Sequence, residues 1–442
     1  MIINIPIDVE KIISRLEAEG FEAYIVGGCV RDQLLGIVPE DWDICTSAKP
    51  EQVVSCFSDC RLLNTGIQHG TVTILLGGQA YEVTTYRQDG TYMDGRRPEE
   101  VAFVTSLEED LARRDFTVNT LAYNARRGLV DPYGGCKDLQ AKLIRCVGEP
   151  GERLREDGLR IIRALRFASV LGFSIEAETA RSLHNSGSLL SIVAVERIQT
   201  EFCKLLCGQG VKGVLEEYRD IIEVFLPELK PMAECQQHNP HHWYDVWKHT
   251  LEALGHTEES LVVRLAVLLH DVAKPRSYTF GKDGVGHFYG HGEQGATMAE
   301  AILKRLKMDG QTVREVCQLI KYHDAEVGES GPLIKKWLHK LGPVQFERLL
   351  QVKYADIMGQ SDYLRERKLN MLGAIRRKLL QVLEEGQCFC LKDLAVNGHD
   401  LMALGIPAGK KVGELLEKLL EQVLEEQLEN TRETLLQAVK RL

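Results

Sequence analysis

The pattern of apolar and polar positions divides the chain into two parts of different secondary structure. Residues 21–148 contain short apolar runs, rich in β-branched and aromatic residues and separated by turns. Four of these runs are predicted to be strands: 23–26, 71–76, 80–87 and 143–148. From Glu152 onward, apolar residues recur with helical spacing to the C-terminus. The pattern therefore predicts an α/β head followed by helices.

Breaks in this pattern suggest further boundaries. A segment rich in proline and polar residues at 227–240 interrupts the helices, and other natural boundaries fall near 150 and 370. These boundaries predict four parts: 1–150, 151–230, 231–370 and 371–442. The expected fold class is α+β, with a mixed sheet in the head and helices in a neck, a body and a tail.

Composition is typical of a globular protein of the cytoplasm. The chain has 442 residues, of which 44% are hydrophobic and 27% charged. No apolar run is long enough to span a membrane, and the N-terminus lacks the pattern of a signal peptide. We therefore expect no membrane partner. Twelve cysteines without metal-like spacing are expected to be reduced thiols.

The net charge of −10 argues against a nucleic-acid partner, but the charge is unevenly distributed. Between Arg153 and Arg166 there are five arginines and only two acids. A local basic face matters more for nucleic-acid binding than the total charge does. A nucleic-acid partner is therefore compatible with this composition.

A glycine turn near the N-terminus predicts a phosphate site. The apolar run 23–26 leads into Gly27-Gly28, after which a helix is expected to begin at Cys29. Glycine lets the backbone approach a phosphate closely, and the first amides of a helix favour an anion. Arg31, on the first turn of that helix, would add a charged fork.

Two carboxylates follow the turn in an Asp41-x-Asp43 pattern. If they lie on a strand, both point to one face and Trp42 points away. Such oxygen ligands suit Mg²⁺, which proteins usually hold through one or two carboxylates and substrate phosphates. An Asp-x-Asp pattern alone is more often a solvated turn. Together with the glycine turn, it predicts nucleotidyl transfer.

Charged residues further along the head are candidates for the same site. Arg113, Arg114 and Asp115 are expected at the start of a helix, where an arginine pair is unfavourable unless an anion binds. Asp115 alone would be an ordinary helix cap. Glu82 is expected on a strand beside Thr84, either as a third carboxylate near the metal or as a surface residue.

A helix predicted from residue 154 onward carries a candidate base-recognition edge. Asp157 and Arg160 are spaced as helical neighbours, as are Arg160 and Arg163, with Arg166 further round. One interpretation is a solvated ion pair within the helix. The other is that Asp157 accepts a hydrogen bond from the exocyclic amino group of cytosine or adenine while Arg160 donates to the adjacent ring nitrogen. That arrangement would select C and A without a template.

Several segments between residues 20 and 205 match a known family in content and order. They are GGCVRDQLLG, DWDICT, DGTYMDGRRP, RRDFTVNTLAYN, DPYGGCKDLQAKLIRCVG, EDGLR and ERIQTEF. They resemble the bacterial tRNA nucleotidyltransferases (CCA-adding enzymes) and their poly(A) polymerase relatives, the class II branch of the nucleotidyltransferase superfamily. The resemblance implies a nucleotidyltransferase head that completes the 3′ CCA end of tRNA from CTP and ATP. It also implies Mg²⁺ as cofactor and the tRNA acceptor arm as partner.

The resemblance further implies a role for individual residues of these segments. The implied roles are the triphosphate for Gly28 and Arg31, Mg²⁺ for Asp41 and Asp43, sugar and phosphate for Arg114 and Asp115, the base for Asp157 and Arg160, and the phosphates for Arg163 and Arg166. The carboxylates Asp41 and Asp43 are thus the expected catalytic pair.

Two features bear on the choice within this family. Bacterial poly(A) polymerases carry a Gly-Arg-Arg type signature after the metal motif, whereas residues 60–76 read CRLLNTGIQHGTVTILL. This difference favours the tRNA branch. Enzymes that add only CC lack the flexible loop found here at 89–98, but enzymes that add only the terminal A keep it. An A-adding enzyme or a poly(A) polymerase is therefore the alternative.

A separate set of histidines and aspartates lies between residues 238 and 360. The set comprises His249, His270-Asp271, His291, His323-Asp324 and Asp356. His and carboxylate ligands together suit a divalent metal that activates water. His249, His270, Asp271 and Asp356 resemble the H…HD…D pattern of the HD phosphohydrolase superfamily. This resemblance implies an HD-type body with a second metal, and an alternative function as a phosphohydrolase acting on RNA ends.

The tail carries glycines before an amphipathic helix. They stand at positions 398, 405, 409 and 413, and Lys410-Lys411 follows the third. Backbone amides at such a turn would bind an RNA phosphate. Ordinary helix capping explains the pattern equally well.

Overall fold

A computed structural model of the chain describes residues 3–63, 66–89, 101–282 and 284–441. The chain divides into two compact units, Met1–Pro227 and Glu228–Leu442. This division falls next to the boundary predicted at 230, whereas the boundaries predicted at 150 and 370 lie within the units. Apart from Asp89, the loop predicted at 89–98 lies outside the described residues.

The first unit is built on a mixed sheet, which confirms the α+β class. The strands of this unit are β1 (Ala23–Val26), β2 (Ile44–Thr46), β3 (Arg61–Leu63), β4 (Thr71–Leu76), β5 (Gln79–Thr85), β6 (Arg87–Asp89), β7 (Val101–Phe103), β8 (Ala122–Asn124), β9 (Gly128–Val130), β10 (Leu143–Ile144) and β11 (Ser174–Ile175). The main sheet has the order β3-β4-β5-β2-β1-β8-β9. β2 runs parallel to β5, and the other neighbours are antiparallel.

The predicted strands are observed, with one much shortened. β1 is buried at every position, as expected for an apolar run at the middle of a sheet. The run predicted at 143–148 forms a strand only at β10. After β10 the backbone no longer pairs with β11. Instead, Cys146 forms an isolated antiparallel bridge with Phe116.

The β4–β5 hairpin determines which side chains of β5 lie on each face of the sheet. Gly77 and Gly78 connect the strands with φ of +60° and +82°, the conformation that a two-residue hairpin turn requires and that glycine adopts without strain. Val83 is buried, whereas Glu82 is exposed and Thr84 half-buried on the opposite face. The predicted placement of Glu82 beside Thr84 is confirmed.

Helices cover the sheet and continue past it. Those of the first unit are α1 (Ile7–Ala18), α2 (Gly28–Leu34), α3 (Pro50–Cys56), α4 (Leu107–Ala112), α5 (Gly135–Ala141), α6 (Pro150–Glu156), α7 (Leu159–Leu171), α8 (Ala177–Ser186), α9 (Val195–Leu206), α10 (Val211–Glu217) and α11 (Arg219–Ile222). Helix α7 packs against α9, and α6 against α8. Short 3₁₀ turns occur along the chain at Ile67–His69, Thr117–Asn119, Gly187–Ile192, Pro227–Leu229 and Leu391–Asp393.

Where the structure describes it, the second unit is helical except for one hairpin. Its helices are α12 (Lys230–Ala233), α13 (Val246–Leu254), α14 (Leu261–Leu269), α15 (Lys274–Ser277), α16 (His291–Arg305), α17 (Gly310–Tyr322), α18 (Gly331–Leu341), α19 (Pro343–Gly359), α20 (Arg365–Glu384), α21 (Gly398–Ala403), α22 (Lys410–Leu424) and α23 (Arg432–Val439). The hairpin pairs β12 (Tyr278–Phe280) with β13 (Gly286–Phe288). Within the described ranges, no helix combines the length and apolarity needed to cross a membrane.

The C-terminal helices form a small core of their own. Leu401 from α21, Leu419 and Leu420 from α22, and Leu435 from α23 are buried together. The side chain of Asn397 accepts hydrogen bonds from the first amides of α21. Helix capping therefore accounts for this end of the glycine-containing segment, and its contact with RNA stays a prediction.

Candidate active site

One cleft of the first unit, about 530 Å³ in volume, is lined by the sheet and by α2, α7 and α9. Its arginines are Arg31, Arg87, Arg113, Arg114, Arg160, Arg163, Arg166 and Arg197. Its carboxylates are Asp43, Glu82, Asp115 and Asp157. The cleft is thus rich in positive charge although the chain as a whole carries −10. Except for Asp41, every residue predicted for nucleotide and metal binding in the head lines this cleft.

The glycine turn has the predicted strand–turn–helix structure. β1 ends at Val26, and α2 begins at Gly28. Gly27 has a φ of +78°, and a Cβ at this position would lie 3.0 Å from Nη1 of Arg114. A side chain here would meet both backbone strain and a crowded guanidinium. Glycine is therefore required for the close approach of Arg114 to the turn.

Arg31 is buried behind the turn. Its Nη1 donates to Oδ1 of Asn119 at 2.7 Å, and its Nε donates to Oδ1 of Asp32 at 2.8 Å. Asn119 in turn donates from Nδ2 to Oδ1 of Asp115 at 3.0 Å. These bonds hold the Arg31 guanidinium in one orientation at the cleft wall.

The Asp41-x-Asp43 segment precedes a strand instead of lying on one, so that part of the prediction was wrong. β2 starts at Ile44 because its pairing with β1 begins at Ile25. One further bond, from the amide of Val26 to the carbonyl of Asp43, ties the segment to the sheet. Both aspartates are exposed and Trp42 is half-buried, so the expected alternation is present without the strand.

Asp43 and Glu82 line the same part of the cleft. Partial desolvation in the cleft raises the pKa of the Asp43 carboxyl above its ordinary value; Arg114 opposes this change, and the negative charges of Glu82 and Asp41 add to it. Clustered carboxylates of this kind repel one another. Their arrangement suits a bound cation.

Arg113 and Arg114 follow the end of a helix, so their predicted position at a helix start was wrong. Helix α4 begins after Ser106, whose side chain accepts from the amide of Glu109, and it ends at Ala112. Arginines after a helix C-terminus are favoured by its dipole. Both also pair with the buried carboxylate of Asp110. The serine followed by three acids in LEED was the local signal for this helix start.

Asp115 is the centre of a charged network. Its Oδ2 accepts from Nη2 and Nε of Arg163 at 2.6 and 2.9 Å. Burial alone would raise the pKa of the Asp115 carboxyl, but Arg163 and Asn119 outweigh burial and hold that pKa well below its ordinary value. Asp115 is therefore an ionised anchor for Arg163.

Asp157 and Arg160 do not form the predicted pair within one helix. Asp157 lies between α6 and α7 and forms an ion pair with Arg197 at 2.8 Å. Its Oδ1 also accepts from the amide of Leu159. Arg160 is buried and donates to Glu156 and to the carbonyl oxygens of Arg113 and Arg153. The backbone of Asp157 itself is extended, with φ of −144° and ψ of 107°, so the helix is interrupted there and spacing by helical turns does not apply.

Arg163 and Arg166 are held by a residue from another helix. Nε of Arg166 lies 2.8 Å from Oε2 of Glu201 on α9, and Nη1 of Arg163 lies 3.4 Å from Oε1 of the same residue. The guanidinium of Arg166 also covers the ring of Phe167, 3.5 Å from its centroid. No role was predicted for Asn119, Phe167, Arg197 or Glu201 from the sequence. The ERIQTEF segment, which contains two of them, was the available signal.

A second cluster lies in the second unit and gathers the four residues predicted for it. His249 is on α13, His270-Asp271 follows α14, and Asp356 is on α19. Nε2 of His249 lies 3.0 Å from Oδ1 of Asp356, and Nε2 of His270 lies 3.1 Å from Oδ2 of Asp271. Burial would raise the pKa values of both carboxyl groups, but the adjacent imidazoles hold them well below the ordinary range.

Two more histidines complete this second cluster. His291 begins α16 and His323 follows α17, and both are buried. Their Nε2 atoms lie 3.6 and 3.7 Å from Oδ1 of Asp271. The donor atoms form two metal-compatible groups that share Asp271: one with His249 and His270, the other with His291 and His323. The sequence pattern of four residues did not include His291 and His323.

Three family models match separate parts of the chain. Residues 23–145 match the Poly A polymerase head domain. Residues 172–232 match the model described as "Probable RNA and SrmB- binding site of polymerase A". Residues 292–439 match the model described as "tRNA nucleotidyltransferase domain 2 putative".

Individual relatives match over different lengths. The CCA-adding enzyme of Limosilactobacillus fermentum is 49% identical over 228 residues, which cover 51% of this chain and 56% of that enzyme. The chain thus spans about half the length of the first curated relatives it matches. The CCA-adding enzyme of Enterococcus faecalis is 36% identical over 442 residues, covering 98% of this chain and 95% of that enzyme.

The fold is similar to that of a solved structure along almost the entire chain. The crystal structure of the Bacillus stearothermophilus CCA-adding enzyme in complex with CTP matches with a TM-score of 0.67 and 28% identity, covering 98% of this chain and 96% of that one. Together with the match along nearly the whole Enterococcus enzyme, this similarity establishes that the chain belongs to the CCA-adding enzyme family.

Proposed function

We propose that this protein adds CCA to the 3′ end of tRNA without a template, using CTP and ATP and releasing pyrophosphate. The observation that carries the proposal is the cleft of the first unit, where eight arginines and four carboxylates line one cavity. Arginine forks suit a triphosphate and an RNA end. Carboxylates suit a divalent cation. Membership of the CCA-adding family supports the same conclusion.

Asp41 and Asp43 would hold Mg²⁺ at this cleft, with Glu82 as a third carboxylate. The donor set fits this ion, since all three side chains offer hard oxygen ligands. The raised pKa of Asp43, to which Glu82 and Asp41 contribute after desolvation, is the electrostatic condition that a bound cation would relieve. Mg²⁺ would lower the cost of generating the attacking 3′-oxyanion and stabilise the pyrophosphate leaving group.

The triphosphate would bind to guanidinium groups that are already oriented. Arg31, Arg163 and Arg166 converge on the ring of Phe167, with guanidinium carbons 5.0, 5.6 and 3.5 Å from its centroid. Asp115 and Glu201 hold two of these arginines from behind. Charges fixed in this way need little reorganisation when a phosphate binds. Gly28 and Arg114 would complete the site at the glycine turn.

Base selection would rest on Asp157 and Arg160, which both line the cleft. The Asp157 carboxylate would accept from the exocyclic amino group of cytosine or adenine, and Arg160 would donate to the adjacent ring nitrogen. Arg197 pairs with Asp157 at 2.8 Å and would fix the direction of the carboxylate. One protein edge would thus serve both nucleotides.

The helical parts would bind the tRNA by shape and by its backbone. We assign the nucleotidyltransferase head to 1–150, a base- and RNA-binding neck to 151–230, an HD-type body to 231–370 and a tRNA-binding tail to 371–442. The matches of 172–232 and 292–439 to RNA-related family models support contact with the acceptor arm. Such recognition by shape is usual for helical RNA.

Incorporation of CTP separates this proposal from its rivals. We expect a tRNA that ends before CCA to accept two C residues from labelled CTP, with release of pyrophosphate. An A-adding enzyme or a poly(A) polymerase would not incorporate CTP into that substrate. If the protein incorporated ATP but no CTP, the proposal of CCA addition would be wrong and one of these two activities would take its place.

We also propose that the second cluster binds a divalent metal and hydrolyses phosphate esters at RNA ends. The supporting observation is the burial of His249, His270 and Asp271 beside the half-buried Asp356, with donor atoms 3.0–3.6 Å apart. Imidazole and carboxylate ligands together favour a transition metal that activates water. This is the different class of function that the sequence resemblance implied.

The variant Asp271→Ala tests the second proposal. We expect it to lose hydrolysis of terminal and 2′,3′-cyclic phosphates on RNA while it keeps incorporation of CTP and ATP. The matched control is Asp324→Ala, an exposed aspartate next to His323. Hydrolysis that survives in Asp271→Ala would rule out the cluster as the hydrolytic site.

A further inference from the structure

We infer that Lys368, His241 and Tyr363, at the opening of the second cluster, bind the 3′-terminal nucleotide of an RNA. Lys368 binds the terminal phosphate, and the two rings hold the terminal base. The inference rests on the proposed hydrolysis of phosphate esters at RNA ends, and it adds the residues that recognise the substrate. None of the three residues belongs to the cluster itself.

The second cluster opens to solvent at Asp356. This residue has the most exposed side chain of the cluster, at 19%, whereas the five histidine and aspartate side chains around it are at most 10% exposed. A substrate therefore reaches the cluster past Asp356. The side chains next to this carboxylate are the ones that a substrate contacts on entry.

A chain of hydrogen bonds leads from Asp356 to Lys368. Nε2 of Gln360 donates to Oδ2 of Asp356 at 2.9 Å, and Oε1 of Gln360 accepts from Nζ of Lys368. Nζ of Lys368 also donates to Nδ1 of His241 at 3.1 Å. Among the residues that the structure describes, these are its two hydrogen bonds. An ammonium has three N–H groups, so one is left for a ligand.

Lys368 places a positive charge close to the carboxylates at the opening. Burial lowers the pKa of its ammonium, and the negative charges of Asp356 and Asp324 oppose this change. A terminal phosphate adds negative charge at the same place and favours the ammonium further. Lysine binds phosphate as a point charge, without the fixed geometry of an arginine fork. Lys368 is thus suited to hold a phosphate that enters the cluster.

Tyr363 and His241 form an aromatic pair beside Lys368. Their ring centroids are 4.8 Å apart, with an interplanar angle of 63°. Burial and the charge of Lys368 lower the pKa of His241, so its ring is neutral at pH 7. Tyr363 is 51% exposed and can therefore accept a planar group from solvent. Unpaired RNA bases stack on side chains of this type.

Buried hydrogen bonds fix the two segments that carry these rings. Ser361 is 1% exposed. Its Oγ donates to the carbonyl oxygen of Pro240 at 2.6 Å, and its amide donates to the carbonyl oxygen of His241 at 2.8 Å. The loop before α13 is thereby held against the turn between α19 and α20. The site is thus preorganised, which lowers the entropic cost of binding.

His242 provides a polar contact suited to a ribose. Its Nδ1 is buried and has no hydrogen-bond partner among the described residues, and its ring lies edge-on to that of His249 with centroids 4.9 Å apart. Buried polar atoms normally have a partner. A ribose hydroxyl both donates and accepts, so it can pair with this nitrogen in either tautomer. The unpaired nitrogen favours a ribonucleotide over a simple phosphate ester.

Hydrolysis of two RNAs that differ in one group tests the inference on the full-length chain. Both are short single strands with a 3′-phosphate, and the second lacks the base of its last nucleotide. Tyr363→Ala should lower kcat/KM for the first RNA by about fivefold to a hundredfold, the usual contribution of stacking one base, and leave the second unchanged. Tyr354→Ala, which changes an exposed tyrosine of α19, should leave both unchanged.

Lys368→Gln tests the phosphate contact. This variant should raise KM for both RNAs by about tenfold with a smaller change in kcat, because the contact is made on binding. Lys378→Gln, at a half-buried lysine of the same helix, is the matched control and should keep both constants. An unchanged KM in Lys368→Gln would overturn the phosphate contact.

Crosslinking locates the terminal nucleotide without relying on hydrolysis. The probe is a short RNA that ends in 4-thiouridine with a 3′-phosphate, irradiated with the metal-depleted full-length chain. Mass spectrometry of the peptides should find crosslinks to His241 or Tyr363. These crosslinks should be lost in Lys368→Gln and with a probe that lacks the 3′-phosphate. Crosslinks confined to other parts of the chain would overturn the inference.

The outcomes distinguish the inference from the proposal beneath it. A wild-type chain that hydrolyses neither RNA would overturn the proposed phosphohydrolase, while the crosslinks would still decide where the nucleotide binds. Hydrolysis that Tyr363→Ala lowers equally for both RNAs, or for neither, would overturn base recognition and leave the phosphohydrolase in place. Circular dichroism confirms that each variant is folded.

Discussion

The two clusters of this protein offer different chemical groups to a metal ion and a phosphate. The cleft of the first unit offers exposed carboxylates beside a group of arginines. The cluster of the second unit offers buried imidazoles around one shared carboxylate. In the cleft the positive charge for a phosphate would come largely from the arginines, whereas in the buried cluster it would come from bound metal.

This difference in ligands indicates which metal ions and substrates each site could bind and release. Hard oxygen ligands bind Mg²⁺, which keeps part of its water shell and arrives with substrate phosphates. Buried imidazoles bind a transition metal that stays with the protein. The cleft is therefore suited to a large charged substrate that enters and leaves with its ion. The cluster is suited to a resident metal acting on a small phosphate ester.

Of the changes that test the difference between the two sites, removal of a carboxylate from the cleft should have the largest effect on activity. We expect Asp43→Ala to lower nucleotide incorporation by about a thousandfold, because a loss of about 4 kcal/mol of transition-state stabilisation gives that factor. Hydrolysis at the second cluster should be unchanged. Glu40→Ala, an exposed neighbour, is the control for local disturbance. Incorporation that survives in Asp43→Ala would exclude this metal assignment.

The second largest effect should come from removing Asp115, the carboxylate that holds Arg163. This effect should be measurable as a loss of folding stability. Asp115→Ala should lower the free energy of unfolding of the first unit by about 3 kcal/mol, since it leaves Arg163 without its main partner. The figure is at the low end for a broken ion pair because Arg163 is 31% exposed and also contacts Glu201. Asp220→Asn, in an exposed pair with His184, should cost less than about 1 kcal/mol in the same urea titration.

The contribution of Asp115 should also depend on pH in a defined direction. Its pKa is held below the ordinary value of about 4, so its carboxylate stabilises the folded state fully above that pH. As the pH falls below about 4 and towards the folded-state pKa, this stabilisation is lost. The difference in unfolding free energy between the wild type and Asp115→Ala should therefore shrink on acidification. A difference that grows would contradict an ionised anchor.

Base selection should show a smaller effect. Asp157→Asn should reduce the preference for CTP over UTP by about tenfold to a hundredfold, because a hydrogen bond to a charged group contributes about 1.5–3 kcal/mol. The measurement is kcat/KM for each nucleotide on a tRNA that ends before CCA. Glu152→Gln, an exposed acid on the preceding helix, should keep the preference. An unchanged preference in Asp157→Asn would place base selection elsewhere.

The smallest effect should come from stripping transition metals. After chelation and return to Mg²⁺ alone, incorporation should stay within about twofold of the untreated protein, because oxygen ligands do not need a transition metal. Hydrolysis should fall with the loss of the resident metal and recover with Co²⁺ or Mn²⁺. If incorporation fell in parallel, the separation of the two sites would be wrong.

Local patterns in the sequence predicted the elements that depend on neighbouring residues. The strand 23–26, the glycine turn and the helix after it follow from adjacent apolar and glycine positions, and the structure has all three. The predicted position of Arg113 at a helix start was wrong, because the helix begins earlier, after the capping residue Ser106. Arg113 therefore follows the end of that helix. Asp41-x-Asp43 was assigned to a strand because a sequence does not show where pairing with β1 starts.

Contacts between distant residues were harder to predict. Arg197 pairs with Asp157, and Glu201 with Arg166, across helices that the sequence separates by more than thirty positions. No spacing rule connects such residues, because tertiary packing brings them together. His291 and His323 belonged to the predicted set of histidines and aspartates, but for the same reason no individual role was predicted for them. They join Asp271 only when α14, α16 and α17 pack, and the four-residue pattern has no positions for them.

The most direct test of the central claim is an extension assay with three tRNA substrates, which end before CCA, after the first C and after CC. CTP and ATP are supplied separately and then together. CCA addition predicts that CTP alone adds two C residues to the first substrate and one to the second. It also predicts that ATP alone adds a single A to the third, and that both nucleotides complete CCA on all three and then stop. Extension of only the CC-ending tRNA, or growth of a run of A residues, would contradict it.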